Sequence, residues 1–142
     1  MIKKIPVIDL KENLAVSGKS GMRDTYKPLN TIFANSSSPV DIANGLKLNG
    51  ADEMYIADLD LIESKGHNIN EIKMVNTILP VMFDGGVKNC ESFKFFLDYA
   101  YKVIVPTETI EENSKELEQN ELDLDMVPPH IPAKEETPPW LR

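Results

Sequence analysis

The chain has 142 residues, a hydrophobic fraction of 42% and a net charge of −8. This length favours a single domain, and the acidic balance argues against a nucleic-acid partner, because phosphate backbones are bound by basic surfaces. The single cysteine, Cys90, excludes an intrachain disulfide and fits a reducing compartment. No apolar stretch approaches the roughly 20 residues of a membrane-spanning helix, so we expect a cytoplasmic protein without a membrane partner.

The first predicted element is a strand over residues 5–10, and a long connection, residues 11–37, follows it. Residues 14–16 could pair as a small extra strand. The rest of the connection carries Lys19 and Arg23, which could reach over a site at the strand ends and clamp an anionic substrate. Long loops in compact domains are often functional, but a poorly ordered surface excursion is the alternative.

Three helices and three further strands are predicted over residues 38–107. Ser38-Pro39 is typical of a helix start and Gly50 of its end, while Asn68 and Glu71 form a predicted capping pair. The predicted order is a helix over 39–50, a strand Met54–Asp58, a helix over 68–79, a strand Val81–Asp84, a helix with Phe93, Phe96, Leu97 and Ala100 on one face, and a strand over 102–107. This alternation favours βαβ units and a parallel sheet.

The last part of the chain differs in composition from the rest. Residues 111–142 contain nine acidic and three basic side chains, a net of −6, and half of the ten prolines lie beyond Val127. Such a segment cannot bury enough apolar area to offset the entropy of ordering. We therefore expect a folded domain over residues 1–110 and an acidic, proline-rich, largely disordered tail over residues 111–142.

Polar side chains end all four predicted strands: Asp9, Asp58, Asp84 and Thr107. Ligands of parallel α/β folds bind at the carboxyl ends of the strands, and carboxylates gathered there can transfer protons or orient a substrate. The alternative is that the aspartates accept backbone N–H bonds and only cap loops. Of these residues, Asp9 and Asp58 are the candidate catalytic groups.

Two glycines, Gly85 and Gly86, directly follow the third of these strands. Glycines at a strand end let backbone N–H groups approach an anion closely, and the start of the next helix adds its positive dipole. A phosphate site is one interpretation, and a tight turn that needs positive φ is the other. No histidine–cysteine cluster has metal-ligand spacing, and we expect neither a metal nor a cofactor.

Several segments together resemble the HisA/HisF family of histidine biosynthesis. They are Ile5-Pro6-Val7-Ile8-Asp9-Leu10-Lys11, Pro39-Val40-Asp41-Ile42-Ala43, Gly50-Ala51, Tyr55-Ile56-Ala57-Asp58-Leu59-Asp60 and Asp84-Gly85-Gly86-Val87. The resemblance covers about residues 2–110. The segment Gly21-Met22-Arg23-Asp24-Thr25-Tyr26-Lys27-Pro28-Leu29 is closer to a HisA-related archaeal-type subgroup, for which a link to one-carbon cofactor synthesis is possible.

The resemblance implies a TIM barrel that isomerises a phosphoribosyl aminoimidazole compound by an Amadori rearrangement. In that family the first-strand aspartate, here Asp9, is a catalytic acid/base, and Gly85, Gly86 and Thr107 match residues that hold one substrate phosphate. Two positions depart from the family pattern, because Pro106 and Asp84 stand where the family has glycines. Strands five to eight of the family barrel, with its second catalytic aspartate and second phosphate site, have no counterpart here.

The sequence therefore predicts an α/β fold, a (βα)4 half of a TIM barrel that dimerisation could close to (βα)8. The leading hypothesis is a HisA-like isomerase-related protein that binds a phosphorylated sugar-type metabolite and works with a second half, from a homodimer or a companion half-barrel. The alternatives are a non-catalytic half-barrel that binds a phosphorylated metabolite or a partner protein, and an enzyme of one-carbon cofactor synthesis. The residues predicted to bind the phosphate of the substrate are Gly85, Gly86, Thr107, Lys19 and Arg23.

Overall fold

The structure is a computed structural model that describes residues 3–17 and 26–106. Its strands are β1 (Val7–Lys11), β2 (Leu14–Ser17), β3 (Lys27–Pro28), β4 (Met54–Asp58), β5 (Val81–Asp84) and β6 (Lys102–Val103). Its helices are α1 (Pro39–Leu48), α2 (Leu59–Ile62), α3 (Ile69–Asn76) and α4 (Cys90–Leu97). The predicted tail, residues 111–142, lies outside the described residues.

The described strands form one sheet in the order β3-β2-β1-β4-β5-β6. Strands β1, β4, β5 and β6 are parallel neighbours, whereas β2 and β3 extend the sheet beyond β1 in antiparallel pairing. The predicted α/β class with parallel strands is confirmed, and so is the small extra strand in the long connection. The sheet is a partial barrel of the kind predicted, and it is not closed.

The hydrophobic core lies between one face of the sheet and helices α1, α3 and α4. It contains Ile8, Leu10, Ile56 and Phe83 from the strands, Ile42 and Ala43 from α1, Ile72 and Val75 from α3, and Phe96 from α4. The rings of Phe83 and Phe96 meet edge to face, with centroids 4.9 Å apart. Each large side chain buried here contributes about 1.5–3 kcal/mol, so this face supplies most of the stability of the sheet.

The opposite face of the sheet, here called the inner face, is more open. Because successive strand residues point to opposite sides, it carries Val7, Asp9, Tyr55, Ala57, Met82 and Asp84. Val7 is 65% exposed, which is unusual for a strand residue in a parallel sheet. At the end of the sheet where β1 finishes, Val16, Ala57 and Leu59 form a small separate cluster, against which Tyr26 and Tyr55 pack.

The first strand does not have the free outer edge that a simple half-barrel would give it. Residues Asp9, Leu10 and Lys11 pair with Val16, Ala15 and Leu14 of β2. The long connection thus folds back as a hairpin and occupies the carboxyl-terminal half of that edge. A second copy that closed the barrel could therefore pair only with the remaining part of β1, at Val7 and Ile8.

The helix boundaries agree with the sequence patterns, but some of the caps differ. Helix α1 starts at Pro39, and Ser38 precedes it in extended conformation without a side-chain cap. The predicted capping by Asn68 is wrong, because its side chain makes no cap bond to α3. Helix α4 is capped instead by a reciprocal pair, Asn89 and Ser92. The sequence patterns did not indicate α2 or β3, and β6 ends at Val103, earlier than predicted.

Candidate functional site

Asp9 lies near the carboxyl end of β1 on the inner face, where it is half-buried. Its neighbours at the same level are Val16 on one side and Ala57 on the other. Both neighbours have small or apolar side chains, so little side-chain volume surrounds the Asp9 carboxylate at this level of the sheet. This is the position that the sequence predicted for a proton-transferring carboxylate, at the end of a parallel strand.

Asp84 lies on the same face two strands away and is hydrogen-bonded to a tyrosine. The Tyr55 hydroxyl donates to Asp84 Oδ2 at 2.7 Å. Burial, this hydrogen bond and the negative charges of Asp84 and Asp9 raise the pKa of Tyr55 to about 12. Tyr55 therefore stays protonated near neutral pH and holds one oxygen of the Asp84 carboxylate in place.

Asp58 lies on the other face of the sheet, in register with Leu10, and is fully buried. Its carboxylate accepts hydrogen bonds from the backbone N–H of Leu61 at 3.1 Å, and from the backbone and side-chain N–H groups of Asn68 at 2.6 and 2.7 Å. Burial is the largest influence on its pKa, which is raised. The carboxylate caps α2 and anchors a loop, so its predicted role in proton transfer stays a prediction that this geometry does not favour.

Asn68 connects Asp58 to the turn between β1 and β2. That turn consists of Glu12 and Asn13, both with positive φ, 51° and 68°. The N–H of Asn13 donates to Asn68 Oδ1 at 2.7 Å, and the N–H of Glu12 donates to Asp60 Oδ2, also at 2.7 Å. Asn68 Nδ2 in turn donates to Asp60 at 3.1 Å. The hairpin beside Asp9 is thus fastened to the loops after β4.

The glycine turn after β5 has the tight geometry that was considered from the sequence. Gly86 has a φ of +65°, and a side-chain carbon at Gly85 would lie 2.7 Å from the Phe83 ring and 2.8 Å from Leu61. Local geometry alone therefore requires both glycines. The N–H of Gly86 points at Asp84 Oδ1, 3.4 Å away, so a bound anion would compete with this carboxylate.

The remaining predicted site residues, Lys19, Arg23 and Thr107, lie outside the described residues. Within residues 3–17 and 26–106, no group of three or more histidine, cysteine, aspartate or glutamate side chains could hold a metal ion. Nor does this part of the chain contain a helix long and apolar enough to cross a membrane.

Sequence reasoning missed two residues that organise the site, Tyr55 and Asn68. A signal for Tyr55 was available, because it lies two residues before Ala57 on the same strand. Both residues therefore point to the face that carries Asp9. Asn68 gave no such signal, since its partners lie 55 and 10 residues away along the chain.

Comparison with known proteins supplies the family context for this geometry. Residues 3–120 match the family model described as histidine biosynthesis protein. An uncharacterized protein of Methanocaldococcus jannaschii is 44% identical over 114 residues, which are 78% of this chain and 50% of that protein. A phosphoribosyl-substituted imidazole-4-carboxamide isomerase of Persephonella marina is 30% identical over 118 residues, 81% of this chain and 46% of the enzyme.

A second isomerase of the same name, from Thioalkalivibrio sulfidiphilus, is 32% identical over 111 residues, which are 75% of this chain and 43% of that enzyme. The chain thus spans about half the length of the curated relatives that it matches. The similarity includes all six described strands and four helices, because it extends from residue 3 to residue 120.

Proposed function

This chain belongs to the histidine biosynthesis protein family, and from that premise we propose that it is a HisA-like, isomerase-related protein that binds a phosphorylated sugar-type metabolite. The observation that carries the proposal is the placement of Asp9, half-buried on the inner face at the carboxyl end of β1. A carboxylate in that position is suited to general acid–base catalysis. The isomerase relatives act on a compound that carries phosphoribosyl groups. The proposal includes a cytoplasmic location.

The phosphate of the metabolite is proposed to lie over the turn formed by Gly85 and Gly86, with Thr107, Lys19 and Arg23 as further ligands. The positive φ of Gly86 and the helix that follows at Cys90 support this assignment. The carboxylate of Asp84 beside the Gly86 amide opposes it. We therefore expect a site that binds phosphate more weakly than one built from three glycines.

A second half of the barrel is also part of the proposal. The described sheet is open, its inner face exposes Val7, and the relatives are about twice as long as the matched region. A second copy of this chain or a companion (βα)4 unit would cover that face. Because β2 occupies part of the β1 edge, the partner is proposed to pair with the outer edge of β6 and with the outer edge of β1 at Val7 and Ile8, where no other described strand lies.

The test is to incubate the purified chain with the compound that appears in the name of the isomerase relatives and to monitor its conversion by NMR. The wild-type chain should convert it, and Asp9→Asn should lower the rate by about 100-fold or more. The matched control is Asp52→Asn, an exposed aspartate just before β4, at the opposite end of the strands. Equal rates for wild type and Asp9→Asn would contradict the assignment of Asp9.

A second candidate function is binding without catalysis, either of a phosphorylated metabolite or of a partner protein. The observation that favours it is the open sheet, since the described strands do not close a barrel around Asp9. Binding of ribose 5-phosphate at the glycine turn without any turnover of the isomerase substrate would support this function. An enzyme of one-carbon cofactor synthesis is the further alternative.

A further inference from the structure

Three residues at one level of the sheet place two carboxylates on either side of a small side chain. Asp9 of β1 is in register with Ala57 of β4, and Ala57 is in register with Asp84 of β5. Residues paired in this way point to the same face, so both carboxylates lie on the inner face, on either side of the Ala57 methyl group at their level of the sheet. Neighbouring strands are about 4.8 Å apart, which puts the two aspartate Cα atoms about 10 Å from each other.

Tyr55 lies one step earlier on β4, between the two carboxylates. Its hydroxyl donates to Asp84 at 2.7 Å, and the charge of Asp9 contributes to its raised pKa. The tyrosine therefore reaches toward Asp84 and lies within electrostatic range of Asp9. Two other charged residues of the described strands point to the inner face. Lys11 lies two residues after Asp9 on β1, and Lys102 of β6 pairs with Met82, which lies two residues before Asp84.

We propose that Asp84 is a second catalytic carboxylate, which works with Asp9 across Ala57, and that Tyr55 is the positioning residue that holds it. This inference rests on the proposed function. It differs from the expectation that the resemblance gives, in which the glycine position of Asp84 carries no acid–base group and the second carboxylate comes from a later strand. The acid–base pair is here complete within a single half-barrel.

The two groups have complementary tasks in an aldose–ketose rearrangement of a glycosylamine. One carboxylic acid gives its proton to the ring oxygen as the C1–O bond breaks, and the nitrogen lone pair forms the C1=N bond. The other carboxylate then takes the C2 proton, and the C–H electrons form C1=C2 while the C=N electrons return to nitrogen. Loss of the O2 proton and protonation of C1 give the ketose, so the reaction is an isomerisation that balances without a co-reactant.

The kinetic test uses the full chain and the isomerase substrate named above. Asp84→Asn should lower kcat by about 100-fold or more, and Asp84→Glu should recover part of the loss. Tyr55→Phe should lower kcat by about fivefold. It should also displace the acidic limb of the pH profile, because the Asp84 carboxylate loses a hydrogen-bond donor. Asp52→Asn is again the control.

A second measurement needs no substrate. In a titration of the carboxyl 13C signals, Asp84→Asn should lower the midpoint of Asp9, because a nearby like charge is removed. Asp52→Asn should leave the midpoint of Asp9 unchanged. If the midpoint of Asp9 does not move in Asp84→Asn, the two carboxylates do not share a site and the inference is wrong.

The outcomes separate this inference from the proposed function. An active wild-type chain in which Asp84→Asn retains full activity overturns the inference and leaves the proposed function standing. A wild-type chain that converts nothing overturns the proposed function and, with it, the catalytic assignment of Asp84, even where the titrations show coupling.

Discussion

Asn68 joins three parts of the structure through hydrogen bonds of its side chain. It is 2% exposed, and it binds two carboxylates and the N–H of Asn13 at once. Buried polar groups left without partners each cost about 1–3 kcal/mol. The network is therefore stabilising only while every member of it keeps its hydrogen bonds.

Asn68→Ala should accordingly lower the free energy of unfolding by about 2–4 kcal/mol, because Asn13 and both aspartates lose a partner. Chemical denaturation measures this loss. Asn70→Ala is the matched control, since Asn70 is exposed on α3 and its removal should change stability by less than about 0.5 kcal/mol. Similar values for the two variants would mean that the network contributes little.

Tyr55 gives a prediction for alkaline pH. Its folded pKa of about 12 lies above the ordinary value of 10.0, so the folded chain holds this proton more tightly than the unfolded chain does. The contribution to stability is fully present below pH 10 and is lost as the pH rises from 10 toward 12. Burial also raises the pKa of Tyr99, so ultraviolet titration should show two tyrosines ionising late, and Tyr55→Phe should remove one of these steps. An unchanged number of late steps in this variant would contradict the assignment to Tyr55.

At the scale of elements, helix α1 depends on a close approach that only glycine permits. A side-chain carbon at Gly45 would lie 1.7 Å from the carbonyl oxygen of Phe33. Gly45→Ala should therefore lower the free energy of unfolding by about 1–3 kcal/mol, although alanine is the better helix former. Asn44→Ala, at an exposed position of the same helix, should instead raise stability by about 0.5 kcal/mol. A gain in both variants would show that residue 33 moves away without cost.

The sequence was sufficient to predict the elements whose pattern is local. The apolar runs of β4 and β5 and the apolar periodicity of α3 and α4 predicted those elements, because burial imposes a period of two or 3.6 on the side chains. Helix α2 was not predicted, since it is four residues long and has no periodicity to detect. β3 is only two residues long and exists through its pairing with Val16 and Ser17.

The candidate site was predictable in position but only partly in composition. Asp9 was predicted as a catalytic group and Asp84 only as a strand-end carboxylate, because the ends of parallel strands lie at the same edge of the sheet. The opposite placement of Asp58 depends on register with Leu10, which strand patterns do not give. The hydrogen bond between Tyr55 and Asp84 joins residues 29 positions apart, so it follows from the packing of β4 against β5 and from no local pattern.

At the scale of the whole molecule, the two faces of the sheet differ in how completely their side chains are packed. The face toward the helices is fully packed, whereas Val7 on the inner face is 65% exposed. Exposed apolar side chains and strand edges favour association. We therefore expect the chain to form a dimer or to bind a companion half-barrel.

Native mass measurement at micromolar concentration should show a wild-type dimer, and Val7→Asp should shift it to monomer because a charge would be buried at the interface. Ile32→Asp is the matched control, since Ile32 is 94% exposed but lies outside the sheet, and it should leave the dimer intact. A well-folded wild-type monomer would contradict self-association through this face.

The hairpin turn at Glu12 and Asn13 has a consequence for the order of events during synthesis. The partners of its two N–H groups lie 48 and 55 residues later in the chain. This turn leaves the ribosome before Asp60 and Asn68 do, so its polar groups are satisfied only after those residues have been made. Arrested chains that end before residue 60 should leave these two amides open to hydrogen exchange, and chains that extend well past residue 68 should protect them.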